Sequence, residues 1–443
     1  MVHLRVFTFL LEVSLGFPTS HALQPPWTAA CFWGKYFNSK DNATDLCNHI
    51  IYFTYNTSII INSNTLTLEG NETGKEEEGY QNVMSFKQRN SEVKVELEIG
   101  NWQTPKGLYD IARTEESRKK FIDSSIEVLE QYSFDGLHLM WGSPATDARE
   151  YFINSTTARR EKENLTYLLR ELNRALKSAN LSFSFGIRGV LEINCNMEVE
   201  EVYANAELVF LYAYGYHGNW EESTGAFAPI YPGREGGRTY YMTIDSTWES
   251  LEVWGGKPDK TVLVISAKGN PFKLTNTSQH GINAPVEAVQ EAERPITFKN
   301  ICRTQLNETK AKWSIVWDNT RKQSYTYREN AWITYEDVCS VIEKKKYARE
   351  KNFAGLALKH LGRDDADGDC FRKTLPLLLT KNKSDFSEID QREVYLDAKF
   401  PLLRIIAGER EQPNPCNRSC GNVNFRSKLQ LLIFLVLVQL SSV

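Results

Sequence analysis

Ser133-Phe-Asp-Gly-Leu-His-Leu-Met-Trp-Gly-Ser-Pro144 is the stretch of this chain that decides its fold. Apolar residues interleave with other residues over a short run, at Phe134, Leu137, Leu139 and Trp141. The run follows a segment, Ser117 to Gln131, whose pattern predicts a helix. A short apolar run after a helix is typical of a buried parallel strand, so the stretch predicts one strand of an α/β fold.

Similar apolar runs, separated by helix-like stretches, recur along the chain and predict eight strands. They run from Ala30 to Lys35, His49 to Tyr55, Lys94 to Ile99, Phe134 to Trp141, Ser182 to Ile187, Leu208 to Tyr214, Thr261 to Ala267 and Phe353 to Leu358. Eight strands with intervening helices are what a (β/α)8 TIM barrel requires. The connection between strands 7 and 8, about 272–335, is too long for one helix, so we expect an insertion there.

Length and composition fit one large domain. The 443 residues suffice for a barrel of about 250 residues with an insertion. The chain is 41% hydrophobic and 24% charged, as in ordinary globular proteins. Its formal net charge of -4 gives no sign of nucleic-acid binding, so we expect no nucleic-acid partner.

The beginning of the chain predicts export. Residues 1–22 carry basic side chains, then the apolar run Val6 to Phe17, then Ser20-His21-Ala22 as a cleavage site, which together are typical of a signal peptide. Ten Asn-x-Ser/Thr sequons predict a glycosylated surface. They begin at Asn42, Asn56, Asn71, Asn154, Asn164, Asn180, Asn276, Asn307, Asn382 and Asn417. We therefore expect a secreted or extracellular glycoprotein with its domain over residues 23–407.

The other end of the chain resembles a glycolipid-anchor signal. A stalk at 408–422 contains small residues, and residues 423–443 hold a short polar spacer and an apolar tail, Leu429 to Leu440. That order is typical of a GPI-anchor signal. A buried terminal helix is the alternative, but the tail lacks an amphipathic period. The sequence thus favours attachment to the cell surface through a lipid anchor.

The opening stretch closely resembles the fourth barrel strand of the chitinase family, the family 18 glycoside hydrolases. The signature of that family runs Phe-Asp-Gly-x-Asp-x-Asp-Trp-Glu-x-Pro. The matching residues are Asp135, Gly136, Trp141 and Pro144. His138 and Met140 replace the second and third aspartates, and Gly142 replaces the glutamate.

The resemblance implies that hydrolysis is lost. In this family the N-acetyl oxygen of the substrate attacks the anomeric carbon, while the glutamate protonates the leaving oxygen. Gly142 has no side chain and Met140 has no proton to donate, so the general acid is missing. We therefore expect no catalytic residue, no cofactor and no enzymatic activity, in a protein that resembles the chitinase-like lectins of vertebrates and the growth-factor-like members of insects.

Other parts of the chain resemble the same family less closely, and the resemblance implies that the insertion at about 272–335 is a small α+β one. Gly100 and Trp102 are kept at the third strand, while Tyr214, His217 and Gly218 are kept at the sixth. At the eighth strand, Lys359 replaces the tryptophan that forms the floor of the central sugar site. The resemblance predicts ligand contacts at four aromatic residues, Trp102, Trp141, Tyr214 and Tyr36. Trp102 could equally be a loop side chain packed on the rim.

Three ionisable residues near the fourth strand allow two interpretations. Glu96 and Glu98 alternate with apolar residues, so both point the same way, and His138 on the next strand could reach them. A paired carboxylate and imidazole could bind a metal. An internal hydrogen-bonded cluster is the interpretation that we favour, because no third ligand with an open position is visible.

Eight cysteines in an exported chain should mostly form disulfides. The resemblance implies two bridges, Cys31 to Cys47 and Cys302 to Cys370. Cys416 and Cys420 are close enough in sequence to close a small loop, which leaves Cys195 and Cys339 as a pair by elimination.

Three functions follow as hypotheses. A weak glycan-binding protein would take a chitin-type oligosaccharide or the glycan of a glycoprotein. A signalling or adhesion factor would act on a cell-surface receptor through its outer surface, as a growth factor does, with no sugar bound. An active N-acetylglucosaminide hydrolase is disfavoured by Gly142.

Overall fold

The computed structural model describes residues 27–34, 46–53, 59–62, 65–68, 73–100, 105–141, 156–190, 194, 196–234, 241–287, 295–305, 313–365, 402 and 406. The signal segment, the stalk and the tail lie outside these residues. So do Tyr36, Trp102, Gly142 and the cysteines Cys195, Cys370, Cys416 and Cys420. Seven of the ten sequons lie outside as well, those at Asn42, Asn56, Asn71, Asn154, Asn307, Asn382 and Asn417.

Eight parallel strands close into a barrel. They are β1 (Thr28–Gly34), β2 (His49–Phe53), β5 (Lys94–Ile99), β6 (Gly136–Met140), β7 (Ser182–Arg188), β8 (Leu208–Tyr212), β9 (Thr261–Ser266) and β15 (Gly355–Lys359). Their order around the barrel is β1-β15-β9-β8-β7-β6-β5-β2. The predicted (β/α)8 TIM barrel is therefore confirmed.

Helices surround the barrel. Within the described residues they are α1 (Thr73–Arg89), α2 (Pro105–Ala112), α3 (Glu115–Gln131), α4 (Thr156–Ser178), α5 (Val199–Asn205), α6 (Ile244–Val253), α7 (Phe298–Gln305) and α8 (Val338–Glu350). Side chains fix two of the helix starts: Thr114 accepts a hydrogen bond from the Ser117 backbone N–H ahead of α3, and Asp337 accepts one from Ser340 ahead of α8. None of the helices in the described residues is long and apolar enough to span a bilayer.

Alternation along each strand divides the apolar side chains into two layers. Leu137, Leu139 and Trp141 face the helices and join the large outer core. The inner layer fills the barrel, with Ala30, Phe32, Ile51, Phe53, Met140, Phe210, Tyr212, Val262, Val264 and Ala357. The strand that opened the sequence analysis therefore contributes alternately to the core and to the barrel interior.

A second sheet lies between strands seven and eight of the barrel. It is antiparallel, in the order β11-β10-β14-β13-β12, and consists of β10 (Lys268–Lys273), β11 (Ile296–Thr297), β12 (Ser314–Asp318), β13 (Gln323–Arg328) and β14 (Ala331–Tyr335). With α7 it forms the expected α+β insertion, which begins at Lys268. The sequence did not predict a hairpin formed by β3 (Ile59–Asn62) and β4 (Thr65–Leu68).

Several barrel strands are shorter than predicted. The fourth was expected from Phe134 but pairs only from Gly136. Asp135 explains this difference, because its carboxylate accepts a hydrogen bond from the Val95 backbone N–H at 2.9 Å and pairs with Lys87. Asp135 thus fixes the amino end of the strand, the end opposite to the one where barrel sites form. Its match to the family signature has a structural role.

One predicted disulfide is present, and two other cysteines are known to be bridged. Cys31 and Cys47 are joined, which ties β1 to the residues that precede β2. Cys302 and Cys339 each belong to a disulfide as well. Cys370 and Cys195, the partners expected for them, lie outside the described residues, so those two pairings stay predictions.

Candidate functional site

The carboxyl end of β6 is the place where the resemblance puts the catalytic carboxylates. Met140 occupies one of those positions and is 1% exposed, within the apolar layer of the barrel. A Cβ built on Gly186 of the neighbouring strand would lie 2.5 Å from Met140 Sδ. Only a glycine leaves room for this thioether. The position therefore holds a buried apolar side chain packed against backbone.

Lys359 and Glu98 form an ion pair at the same end of the barrel. Lys359 Nζ lies 2.9 Å from one carboxylate oxygen of Glu98 and 3.2 Å from the other. Both side chains are largely buried, at 14% and 7% exposure. Burial lowers the pKa of Lys359, and the Glu98 carboxylate opposes that change.

Aromatic rings surround the Lys359 ammonium. Its nitrogen lies 4.3 Å from the centre of the Phe32 ring, 4.9 Å from that of Tyr212 and 5.2 Å from that of Phe53. These distances are within the range of cation–π attraction. The lysine that replaces the family's floor tryptophan therefore lies inside the ring cluster and occupies the centre of the barrel mouth.

His138 joins Ser184 and Tyr212 in the barrel interior, next to this ion pair. Its Nδ1 lies 2.7 Å from Ser184 Oγ and its Nε2 lies 2.9 Å from the Tyr212 hydroxyl. Ser184 donates its own hydrogen to Glu96, so Nδ1–H of His138 must donate to Ser184. Nε2 then accepts from Tyr212. Burial lowers the pKa of His138 to about 3, against the opposing attraction of Glu96, so the ring is neutral.

Glu96 lies in the barrel interior, two residues before Glu98 on β5. It accepts hydrogen bonds from Ser182, at 2.7 Å, and from Ser184, and His49 Nε2 lies 3.3 Å from its Oε2. Burial by itself would raise the pKa of Glu96, but the attraction of His49 and the two serine hydroxyls lower it to about 2. Glu96 is therefore an anion held by three partners.

The internal cluster predicted from Glu96, Glu98 and His138 is present, although the histidine hydrogen-bonds to neither carboxylate directly. Ser184 bridges it to Glu96, whereas the Tyr212 hydroxyl gives its one hydrogen to His138 and lies 3.5 Å from Glu98 without donating to it. Among the described residues, no three His, Cys, Asp or Glu side chains are grouped so as to hold a metal ion. The arrangement satisfies buried polar groups, which is the interpretation that the sequence favoured.

The rim of the barrel keeps more of the expected residues. Tyr214 is half-buried and stacks on Phe227, with ring centres 5.9 Å apart. His217 is buried and its Nδ1 lies 2.8 Å from Glu221 Oε2, while its backbone carbonyl accepts from Asn270 of the insertion at 2.7 Å. The histidine thus connects the sixth strand to the insertion, as a structural residue would.

The ligand contact predicted for Trp141 does not fit its position. The indole is 1% exposed and packs edge-on against Tyr109, with ring centres 5.5 Å apart, in the core between barrel and helices. Strand alternation explains this, because Met140 points inward and its neighbour must point outward. Trp102 and Tyr36, the other predicted ligand contacts, lie outside the described residues.

Trp220 is a rim residue that the sequence analysis missed. Its side chain is 66% exposed, and one face of the ring lies directly over Gly218. The next residues bind the insertion, since Glu222 and Thr224 pair with Val286 and Ala284 through backbone hydrogen bonds. A flat indole with one open face is a surface on which a sugar ring can stack. The sequence signal that could have identified Trp220 was its position just after the matched residues His217 and Gly218.

Comparison with known proteins agrees with this barrel. The family model of glycosyl hydrolases family 18 matches residues 28–364. Probable chitinase 10 of Drosophila melanogaster is 27% identical over 363 residues, which cover 79% of this chain and only 15% of that protein. Chitotriosidase-1 of Mus musculus is 25% identical over 378 residues, covering 79% of this chain and 75% of that one.

A solved structure has the same fold. YKL-39, whose crystal structures were determined in the presence of chitooligosaccharides, superposes with a TM-score of 0.69 at 21% identity. The match covers 87% of this chain and 99% of that one. With a family model that spans most of the sequence and a closed eight-stranded barrel in the structure, this chain belongs to glycosyl hydrolases family 18.

Proposed function

We propose that this protein is an exported, non-hydrolytic member of its family that binds a chitin-type oligosaccharide weakly through the rim of the barrel. Three features support the loss of hydrolysis. Gly142 aligns with the proton-donating glutamate, Met140 aligns with its partner aspartate, and the Lys359–Glu98 pair occupies the centre of the barrel mouth. The last of these is the observation that carries the proposal.

The ion pair opposes hydrolysis in two ways. It takes the place where the family resemblance puts the floor of the central sugar site, so a ring cannot settle there without displacing a buried lysine. It also engages Glu98, the interior carboxylate closest to that position, through both of its oxygens. Both oxygens of this carboxylate are therefore directed at Lys359 and away from a bound sugar.

Rim residues support weak sugar binding. Trp220 is exposed, Tyr214 belongs to the matched motif of the sixth strand that precedes it, and the insertion that follows the seventh strand is present. YKL-39, which shares the fold, was crystallised in the presence of chitooligosaccharides. Without a central site, we expect contact with only part of an oligosaccharide and hence modest affinity.

Hydrolysis and binding can be measured on the same preparation. We expect no turnover of a fluorogenic chitobioside by the full exported chain, with an active chitinase of the family as positive control. Calorimetry with chitotetraose should give weak binding that Trp220→Ala reduces. Turnover that co-purifies with the protein would contradict the loss of activity, and calorimetric silence would contradict the glycan-binding part.

A signalling or adhesion role is the second candidate, and the filled barrel mouth favours it. Two described sequons, at Asn180 and Asn276, are exposed, as an extracellular glycoprotein requires. A glycan array separates the two candidates, because a factor that acts only through its outer surface would bind no sugar. Release from cells by a phosphoinositide-cleaving phospholipase tests the anchor proposed for residues 423–443.

A further inference from the structure

The insertion sheet ends in a strand with one open edge. β12 (Ser314–Asp318) is last in the order β11-β10-β14-β13-β12, and among the described residues it pairs with β13 alone. An edge strand presents a row of backbone N–H and C=O groups that can hydrogen-bond to another chain. None of the residues of β12 takes part in the barrel-mouth network described above.

The backbone groups of Ile315 and Trp317 face this open edge. The Ser314 carbonyl accepts a hydrogen bond from the Thr326 hydroxyl of β13 at 2.9 Å, so it points toward β13. In an antiparallel strand the N–H and C=O of one residue point to the same side, and those of the next residue point to the other side. Ile315 and Trp317 therefore direct their N–H and C=O groups to the side where the described structure has no strand.

The side chains of β12 leave this edge unprotected. Ile315 is 53% exposed, and the half-buried Trp317 lies on the same face of the sheet because it is two residues away. Edge strands of natural proteins commonly carry a lysine, a proline or a β-bulge that discourages pairing. β12 contains neither lysine nor proline, and its register with β13 is continuous from Ser314 to Asp318.

Charge favours a second copy of the same strand as the partner. A strand that pairs with its own copy brings like charges close together, which is unfavourable. The charged residue of β12 is Asp318, at its end, and both of its carboxylate oxygens are engaged locally. Arg321 Nη1 lies 2.6 Å from Oδ2, while the backbone N–H groups of Thr320 and Arg321 donate to Oδ1. No uncompensated charge of β12 therefore opposes self-pairing.

We propose that two copies of this protein associate through antiparallel pairing of β12 with β12 about a two-fold axis. With Val316 opposite itself, all five residues of the strand overlap with those of the second copy. Ile315 of each copy then exchanges backbone hydrogen bonds with Trp317 of the other, and their side chains form a cross-strand pair. The insertion sheets of the two copies become one continuous sheet.

The dimer is expected to be weak, because its interface is small. Pairing of two short strands buries less than the roughly 1,200 Å² of a standard interface, so we expect a dissociation constant on the order of 10–100 μM. Under the proposed function, the dimer also joins two barrel rims, which raises the avidity for a glycan with several branches. The association itself does not depend on sugar, so its test contains none.

Sedimentation velocity of the full chain, purified from a secreting host, measures the association. We expect a reversible monomer–dimer equilibrium. Ile315→Lys should weaken dimerisation by about tenfold, because two-fold symmetry removes the pair of Ile315 with Trp317 twice and adds a lysine to the edge. Val253→Lys makes a matched change at an 83% exposed position at the end of α6, and it should leave dimerisation unchanged.

Variants of Val316 test the register, because the proposed pairing places this residue opposite itself. Val316→Lys and Val316→Glu should each be monomeric, since like charges then meet across the two-fold axis. An equimolar mixture of the two should recover a dimer, in which the lysine of one copy faces the glutamate of the other. Ile315→Lys remains informative if the Val316 variants unfold, which thermal unfolding would show.

Three results would overturn the proposal. A monomer at every concentration would leave β12 to a partner of another sequence or to none. Dimerisation of Ile315→Lys as strong as that of Val253→Lys would locate the contact elsewhere on the chain. Folded Val316 variants whose mixture stays monomeric would exclude the two-fold pairing. Calorimetry of Ile315→Lys with chitotetraose should give the affinity of the unmodified protein, so failure of the dimer and failure of sugar binding are told apart.

Discussion

The interior of the barrel mouth and its rim differ in what they leave open. At the centre, Met140 is buried, Lys359 is paired with Glu98, and His138 is bound on both nitrogens. At the rim, Trp220 is two-thirds exposed and Tyr214 is half-buried. The polar groups at the centre form hydrogen bonds and an ion pair with one another, whereas the rim has aromatic surface exposed to solvent.

This difference separates two properties that the family resemblance joins. Cleaving a glycosidic bond needs a proton donor and room for a distorted ring at the centre. Binding an oligosaccharide needs only stacking surfaces and a few polar contacts along the groove. A barrel can therefore lose cleavage of the glycosidic bond while it keeps part of the oligosaccharide binding. Variants at the centre test the first property, and variants at the rim test the second.

The largest effect should come from breaking the central ion pair. Lys359→Met leaves the Glu98 carboxylate buried without its partner, which should lower the free energy of unfolding by about 3–5 kcal/mol. The double variant Lys359→Met/Glu98→Leu replaces both charges with apolar side chains and should recover most of that loss. Urea unfolding of the two variants measures the difference. Equal destabilisation of single and double variants would show that the pair is not coupled.

Acid should destabilise the interior through His138. Its pKa in the folded protein is about 3, below the ordinary 6.5, so the native ring stays neutral while the unfolded ring takes up a proton below pH 6.5. The stabilising contribution is complete above pH 6.5 and is lost as the pH falls toward 3. Between pH 6.5 and 4 the loss should be roughly 3 kcal/mol for this one group.

The matched variant for this prediction is His138→Gln. It removes the titrating ring, so its free energy of unfolding should decline less steeply with acid over the same range, whatever its value at neutral pH. His360, whose pKa burial also lowers to about 3, stays in both proteins and contributes equally. Parallel curves for the two proteins would show that His138 is not the acid-sensitive group.

Removing the charge of Glu96 should have an intermediate effect. Glu96→Gln keeps the shape but weakens the hydrogen bonds from Ser182 and Ser184, for an expected loss of about 1.5–3 kcal/mol. The lowered pKa of about 2 means that this contribution is present above pH 4.5 and disappears as the pH falls toward 2. Glu127→Gln, which removes an exposed charge on α3, serves as control and should leave the unfolding midpoint unchanged.

The smallest effect belongs to the rim. Trp220→Ala should reduce the affinity for chitotetraose by about tenfold, as truncation of one aromatic anchor does, without altering the midpoint of unfolding. Calorimetry measures the affinity. If the sugar still bound as before, or if Lys359→Met were the variant that abolished binding, the rim would not be the sugar contact.

The sequence predicted the barrel well because alternation and strand count are local and repeated. The length of the connection predicted an insertion, and the family resemblance supplied its α+β character. Trp141 was misplaced because the family match was transferred without asking which way its side chain points, although alternation with Met140 already gave the answer. Trp220 was missed for a different reason: its exposure depends on Gly218 and on the insertion, which come together only in the fold.

The partners of Lys359 also could not be predicted. Glu98 lies 261 residues away along the chain, and nothing local indicates that the two side chains meet. The sequence did indicate that Glu96, Glu98 and His138 share an interior. The serine and tyrosine hydroxyls that hydrogen-bond to His138 were unforeseen, because hydroxyl side chains on buried strands carry no distinctive pattern.

The packing of Met140 against Gly186 bears on any attempt to install catalysis in this scaffold. A designer who restored a carboxyl group at residue 142 would still face a thioether wedged against the adjacent backbone and an ammonium seated among three aromatic rings. Each occupant is held by the next, so single reversions would leave the chamber shut. Under the proposed loss of hydrolysis, a return to activity would therefore require several inward-facing residues to be replaced together.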